Sequence, residues 1–195
     1  MDSIRMLCNK AILMENGSIT KKGYTEEICD FYMSEYNTNL QDLFIASPDK
    51  SIGDNFVELL EMRIIDKNKN PLKSIFVTSE FGVLVKYRII DDLYKPDLTF
   101  LISTNRNENI FHSVHETKDY STGKKIYIAW FPANLFNDKN YIFTLGITTS
   151  NPLLIHLQKS ISFSVSEDFN SVTRQNNYKG EFHGVLRPYI NWEKL

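Results

Sequence analysis

The most suggestive chemistry in this sequence lies at His112-Ser113-Val114-His115-Glu116. Two imidazoles and a carboxylate this close could hold zinc if the histidines shared a face. On a helix that takes a spacing of four, as in H-E-x-x-H. Here the spacing is three, and residues 110–114 read as a strand, where positions three apart point to opposite faces. Two ordinary histidines are therefore expected, with no metal site. Asp91-Asp92 is the next set, because paired carboxylates can serve as acid and base on a glycosidic bond. Adjacent residues at a strand end point apart, so no such pair is expected. Cys8 and Cys29 have no neighbouring base pattern, and a buried structural role is the reading. No catalytic residue, metal or cofactor follows from these sets.

The elements that would position such groups are strands. Residues 124–147 contain the clearest pair, joined by a corner. Ile126, Ile128 and Trp130 share one face of the first strand, with Tyr127, Ala129 and Phe131 opposite. In the second, Tyr141, Phe143, Leu145 and Ile147 share a face. Phe136 and Tyr141 flank a polar Asn137-Asp138-Lys139-Asn140 bend, similar to the tyrosine corner of immunoglobulin-like sandwiches. Residues 56–65 alternate, with Phe56, Leu60, Met62 and Ile64 on one side. Phe81, Val83, Val85, Tyr87 and Ile89 form the next face, opposite Gly82, Leu84, Lys86 and Arg88. Leu98, Phe100 and Ile102 mark a strand, residues 105–109 a turn, and residues 110–114 another strand. Ile161, Phe163 and Val165 alternate with serines, which suits an outer face or solvated edge. Residues 167–178 are polar and read as mobile, and the chain closes on apolar segments at 182–186 and 189–192. The fold class predicted is all-β: an immunoglobulin-like antiparallel β-sandwich with a short α/β N-terminal remnant.

Composition bounds the function. The chain has 195 residues, 42% hydrophobic and 24% charged, enough for one domain of about 150 residues and a smaller unit. A net charge of −2 provides no general field for nucleic acid or anionic lipid. No apolar run reaches the roughly 18 residues that span a bilayer, and no signal-peptide pattern opens the sequence. A large sandwich with cysteines only at positions 8 and 29 suits a reducing compartment.

Near the N-terminus, Ile4, Leu7, Cys8 and Ala11 follow helical spacing, then residues 11–14 form a short apolar run. Asn16-Gly17 signals a turn, residues 18–20 pair back, and Lys22-Gly23 reads as a second turn. Thr25 would cap a helix carrying Glu26 and Glu27 in its first turn, with an apolar stripe of Ile28, Phe31, Tyr32 and Tyr36. Leu7-Cys8, Ala11-Ile12, Glu15-Asn16-Gly17, and Gly23 with Glu27 resemble the last stretch of an ABC-transporter ATPase domain. The resemblance covers about the first 36 residues. No G-x-x-x-x-G-K-[ST] occurs in the sequence, so no phosphate cradle is present and no ATPase activity is expected of the chain itself. The expected organisation is an ATPase-domain tail at 1–38, a linker at 39–54 and the sandwich at 55–195.

That tail followed by a sandwich resembles the C-terminal module of the Wzt-type ATPases that export O-antigen polysaccharides. Residues 96–100, the strand–corner–tyrosine unit at 126–141, Phe163 to Val165, and Gly184-Val185 with Trp192 follow the family's order. Lys139-Asn140 stands where that family usually has a glycine before the corner tyrosine.

The resemblance implies a non-catalytic carbohydrate-binding domain that recognises the end of a lipid-linked polysaccharide at the cytoplasmic face and licenses its export. The permease would be a partner through the parent ATPase. A homodimer is expected, with residues 182–192 exchanged between subunits, because the long polar stretch before them could act as a hinge. The alternative is a structural dimerisation or docking module without sugar binding. Thirteen Phe, ten Tyr and two Trp supply more rings than a sugar site needs, and most are expected in the core. Strand parity nominates Lys86, Arg88, Asn105, Arg106, His112 and Tyr127 as a glycan-binding platform.

Overall fold

The computed structural model describes residues 4, 7–15, 17–38, 43–47, 52–72, 74–115 and 117–194, the side chains at 30, 33–38 and 176 excepted. The turn residue Asn16, the stripe residue Tyr36 and much of the linker region lie outside these.

The N-terminal unit is a hairpin of β1 (Lys10–Glu15) and β2 (Ser18–Tyr24), followed by α1 (Thr25–Thr38). Where a turn was expected at Lys22-Gly23, β2 instead runs on to Tyr24 and meets Lys10. The helix begins at the expected threonine, but the Thr25 hydroxyl has no hydrogen-bond partner among the described residues. Its first turn is acidic through Glu26 and Glu27, and Thr25, Ile28 and Cys29 are buried among its described side chains; Cys8, expected to be buried like Cys29, is instead exposed.

The rest is a sandwich of two sheets. The segment expected to link the units supplies β3 (Leu43–Ile45) and β4 (Ile52–Gly53), both paired with β5 (Val57–Ile65). With β7 (Phe81–Ile89) and β10 (Gly123–Phe131) they make the first sheet, in the order β10-β7-β5-β3. The second sheet runs β6-β12-β11-β8-β9, from β6 (Ile75–Phe76), β12 (Leu153–Ser166), β11 (Asn140–Ser150), β8 (Asp97–Thr104) and β9 (Asn109–His115). Every pairing is antiparallel except the short β6–β12 contact.

The alternations of β7, β8, β10 and β11 hold; in β10 it is the Tyr127, Ala129 and Phe131 face that turns inward, leaving Ile126 and Trp130 exposed. β5 departs from its expected parity. A bulge between Leu59 and Glu61 moves Leu59, rather than Leu60, opposite Tyr87, while Met62 and Ile64 stay opposite Val85 and Val83. In β12 the serines face out and Ile161, Phe163 and Val165 face in.

Six rings fill the end of the core beside the corner: Phe81, Phe131, Phe136, Tyr141, Phe143 and Phe163. Their neighbouring centroids stand 4.8 to 6.3 Å apart. Each buried ring contributes roughly 1.5–3 kcal/mol, against about 0–1 kcal/mol for an exposed ion pair. The rings, not the surface charges, hold the sheets together.

The tyrosine corner is present. Tyr141 is fully buried; its hydroxyl accepts the Asn137 N–H at 3.0 Å and donates to the Val185 carbonyl at 2.7 Å. Asn137 also donates through Nδ2 to the carbonyls of Phe182 (2.8 Å) and Gly184 (3.0 Å). Gly184 has φ +89°, which suits glycine at this turn. No strand forms over 182–192; the segment instead runs across its own chain's corner, with a single bridge between Phe136 and Leu186.

The stretch read as mobile is tied down. Glu167 accepts from Arg174 Nη2 at 2.5 Å and from Arg187 Nη1 at 2.7 Å. Asp168 accepts from the Thr78 hydroxyl at 2.6 Å, and Ser171 donates to Asn134 Oδ1 at 2.8 Å.

Candidate functional site

The six nominated residues do not form one platform. Lys86 and Arg88 stand on the outer face of the first sheet, where β5 supplies opposite charges directly across the strand pair. Lys86 Nζ lies 2.7 Å from Glu61 and Arg88 Nη1 3.1 Å from Glu58, so both cations are already engaged in cross-strand pairs. His112 is on the outer face of the second sheet, opposite Leu101. Asn105 and Arg106 belong to the β8–β9 turn and line a polar cleft of about 400 Å³ with Glu108, Lys139 and Asn140. Tyr127 faces inward. Strand parity separates the two faces of a sheet but does not say which faces of different sheets coincide, and that is why the single platform fails.

Tyr127 lies in a cleft of about 300 Å³ between the unpaired edges of β9 and β10. His115 sits across it with ring centroids 5.0 Å apart, and Ser113, Phe100 and Phe143 are among the other lining residues. Behind Tyr127, the Tyr87 phenol is pushed up to about 12, by burial first and by Tyr127 second. His112 and His115 fall on opposite faces, as their spacing predicts, and no metal-ligating cluster occurs among the described residues.

A larger cleft lies elsewhere. The C-terminal segment encloses about 470 Å³, lined by Tyr178, Phe182, Arg187, Tyr189 and Trp192 among others. Its framework is the Glu167 network. Arg187 is 4% exposed; its Nε donates to Thr173 Oγ1 at 2.6 Å and its guanidinium lies 3.8 Å from the Phe182 ring centroid. Burial pulls the Glu167 carboxyl upward, but hydrogen bonds from Arg174 and Arg187 outweigh it and hold the group below its ordinary range. Around this buried base, Tyr178, Tyr189 and Trp192 leave their rings exposed, Trp192 at 83%. Flat rings beside fixed hydrogen-bonding groups can stack on the C–H face of a sugar while the polar groups take its hydroxyls.

No protein-family profile matches the chain, and no curated protein matches it. Among solved structures, the crystal structure of the C-terminal domain of Wzt aligns with a TM-score of 0.57. That alignment covers 76% of this chain and 90% of that one at 15% sequence identity. In fold, this chain resembles the Wzt C-terminal domain. Two structures of Parabacteroides merdae β-glucuronidase, one with glycerol in its active site, align at TM-scores of 0.34 and 0.32. They cover 56% and 64% of this chain and 13% of each enzyme, at 15% and 14% identity. Scores this low add nothing to the comparison with the Wzt domain.

Sequence reasoning used Trp192 only as a mark of family order and nominated none of Tyr178, Tyr189 and Trp192 for a site. Their signal was available: these are aromatic residues in stretches with no strand alternation, so no core face claims them.

Proposed function

We propose that this chain is a non-catalytic glycan-recognition module of the ATP-binding subunit of a polysaccharide exporter. The observation that carries the reading is the C-terminal cleft, where Tyr178, Tyr189 and Trp192 expose their rings around the buried, fixed guanidinium of Arg187. The Wzt-like fold supports it, as does the resemblance of Leu7-Cys8, Ala11-Ile12, Glu15-Asn16-Gly17 and Gly23 with Glu27 to the end of an ABC ATPase domain, with residues 1–38 taken as that domain's tail. Recognition of a polysaccharide end by stacking and hydrogen bonding would license export at the cytoplasmic face through the permease. No bond is made or broken.

Calorimetric titration of the chain with polysaccharide from its own source, and with the same polymer lacking its non-reducing-end residue, tests this. Binding to the complete polymer alone is expected. A folded chain that binds neither polymer overturns the reading.

The second reading is a dimerisation or docking module. Ile126 and Trp130 favour it, because both are exposed on the outer face of the edge strand β10. We also propose that the chain dimerises by exchange of residues 182–192, the partner's segment making the same corner contacts with Tyr141 and Asn137. Truncation after Asn177 should then leave a monomer by light scattering; a dimer that survives truncation refutes exchange.

A further inference from the structure

The inner wall of the C-terminal cleft is electrostatically unbalanced. One carboxylate, Glu167, faces two guanidiniums, Arg174 and Arg187, and the three side chains are 16%, 6% and 2% exposed. The neighbouring Asp168 takes its hydrogen bonds from the Thr78 hydroxyl and the Asn170 N–H, and among the described residues both guanidiniums pair with Glu167 rather than with it. Phe182 lies against both guanidiniums, its centroid 3.8 Å from Arg187 and 5.1 Å from Arg174, and accepts no formal charge. A buried cation without a counter-charge is costly and calls for an anion.

The donors show where the anion would bind. Arg174 spends Nη1 on the carbonyls of Tyr178 and Gly180 and Nη2 on Glu167. Arg187 spends Nε on Thr173 and Nη1 on Glu167. Arg174 Nε and Arg187 Nη2 are both buried without a hydrogen-bond partner among the described residues, and of the two residues it is Arg187 that lines the cleft. Pro188, Tyr189, Ile190 and Trp192 line the same cleft and are exposed, with one long hydrogen bond from Gln175 Nε2 to the Ile190 carbonyl at 3.5 Å. Because Nη2 is buried, a ligand reaches it only with an outward movement of the lining.

We propose that the sugar taken by this cleft is acidic: a hexuronic acid residue whose carboxylate accepts from Arg187 Nη2 while its ring lies against Tyr189 or Trp192. This rests on the glycan reading of the cleft. The balance of one carboxylate against two guanidiniums leaves a single positive charge, which matches a planar monoanion, and guanidinium–carboxylate hydrogen bonds are among the stronger ones available.

The first test uses the chain as it stands. Methyl glycosides of glucuronic, galacturonic and mannuronic acid are titrated into isotopically labelled protein, alongside the corresponding neutral hexosides and sodium acetate. The Trp192 indole N–H, the Tyr189 ring and the Arg187 side-chain signals are followed by NMR. At least one hexuronide is expected to shift the Arg187 signals and one of the two rings with an affinity about tenfold or more above its neutral counterpart, and added salt should shrink that gap. Equal affinity for acid and neutral forms overturns the charge assignment and leaves the glycan reading standing. Acetate acting as strongly as the hexuronides overturns the sugar part. No shift at Trp192, at the Tyr189 ring or at Arg187 with any saccharide overturns both readings. Arg187→Lys, which keeps the charge and removes Nη2, should bring a folded variant's acid and neutral affinities together.

Discussion

The hydroxyl of Tyr141 lies 2.7 Å from the carbonyl of Val185, 44 residues further along the chain. The corner of the sandwich therefore positions the C-terminal segment as well as its own loop. Tyr141→Phe removes a buried hydroxyl that bonds both Asn137 and Val185, while the direct bond from the Asn137 N–H to the Val185 carbonyl at 3.2 Å remains. The expected loss is about 0.5–1.5 kcal/mol, read by chemical denaturation. A loss confined to the first few tenths would mean that the corner is held by its rings alone.

Glu167 is the hub of the cleft. Glu167→Gln leaves two buried guanidiniums without a counter-charge, for which a cost of about 3–5 kcal/mol is typical. Because the ion pairs join residues 167, 174 and 187 rather than the two sheets, limited proteolysis should cut first within 167–187 while the core resists. Cleavage that begins in the core strands would show that the network supports the whole sandwich.

Acid should weaken the fold through a second carboxylate. Asp54 Oδ2 stands 2.8 Å from Nδ1 of the buried His156, and Asp54 Oδ1 accepts the backbone N–H groups of Phe56 and Val57. Burial pulls its carboxyl up, but the bond with His156 and the two N–H donors outweigh this and hold it below the ordinary 3.8. A carboxylate depressed in the folded state contributes fully above its unfolded value and loses that contribution as pH falls through the folded one. Melting temperature should therefore fall below about pH 4, and Asp54→Asn should flatten that fall. Identical pH profiles for the variant and the parent chain would rule out this source.

Trp192 and the Lys86–Arg88 pair separate the two locations for glycan binding. Trp192→Ala should weaken saccharide binding about two- to tenfold, the worth of a stacking contact, with no change in melting temperature because the ring is exposed. Lys86→Ala and Arg88→Ala should leave affinity unchanged, since each cation is paired with a glutamate of β5. The opposite pattern would return the site to the outer face of the first sheet.

The sequence by itself determined the strands and their inner faces. Alternation at Phe81 to Ile89, Leu98 to Ile102 and Tyr141 to Ile147 leaves one arrangement that buries the apolar side chains, and the Phe136–Tyr141 spacing marks the corner. Parity is a local property, so it survives folding unless a bulge intervenes, as at Leu59–Glu61. What only the tertiary structure decided is which faces and segments meet. Lys86 and His112 fall on the outer faces of different sheets, and Tyr127 opens into an edge cleft. The C-terminal cleft is assembled by hydrogen bonds and ion pairs between a loop and a tail that have no periodicity. Side-chain partners 20 and 44 residues apart leave no repeating pattern in a sequence, because their spacing is set by the path of the chain around the core.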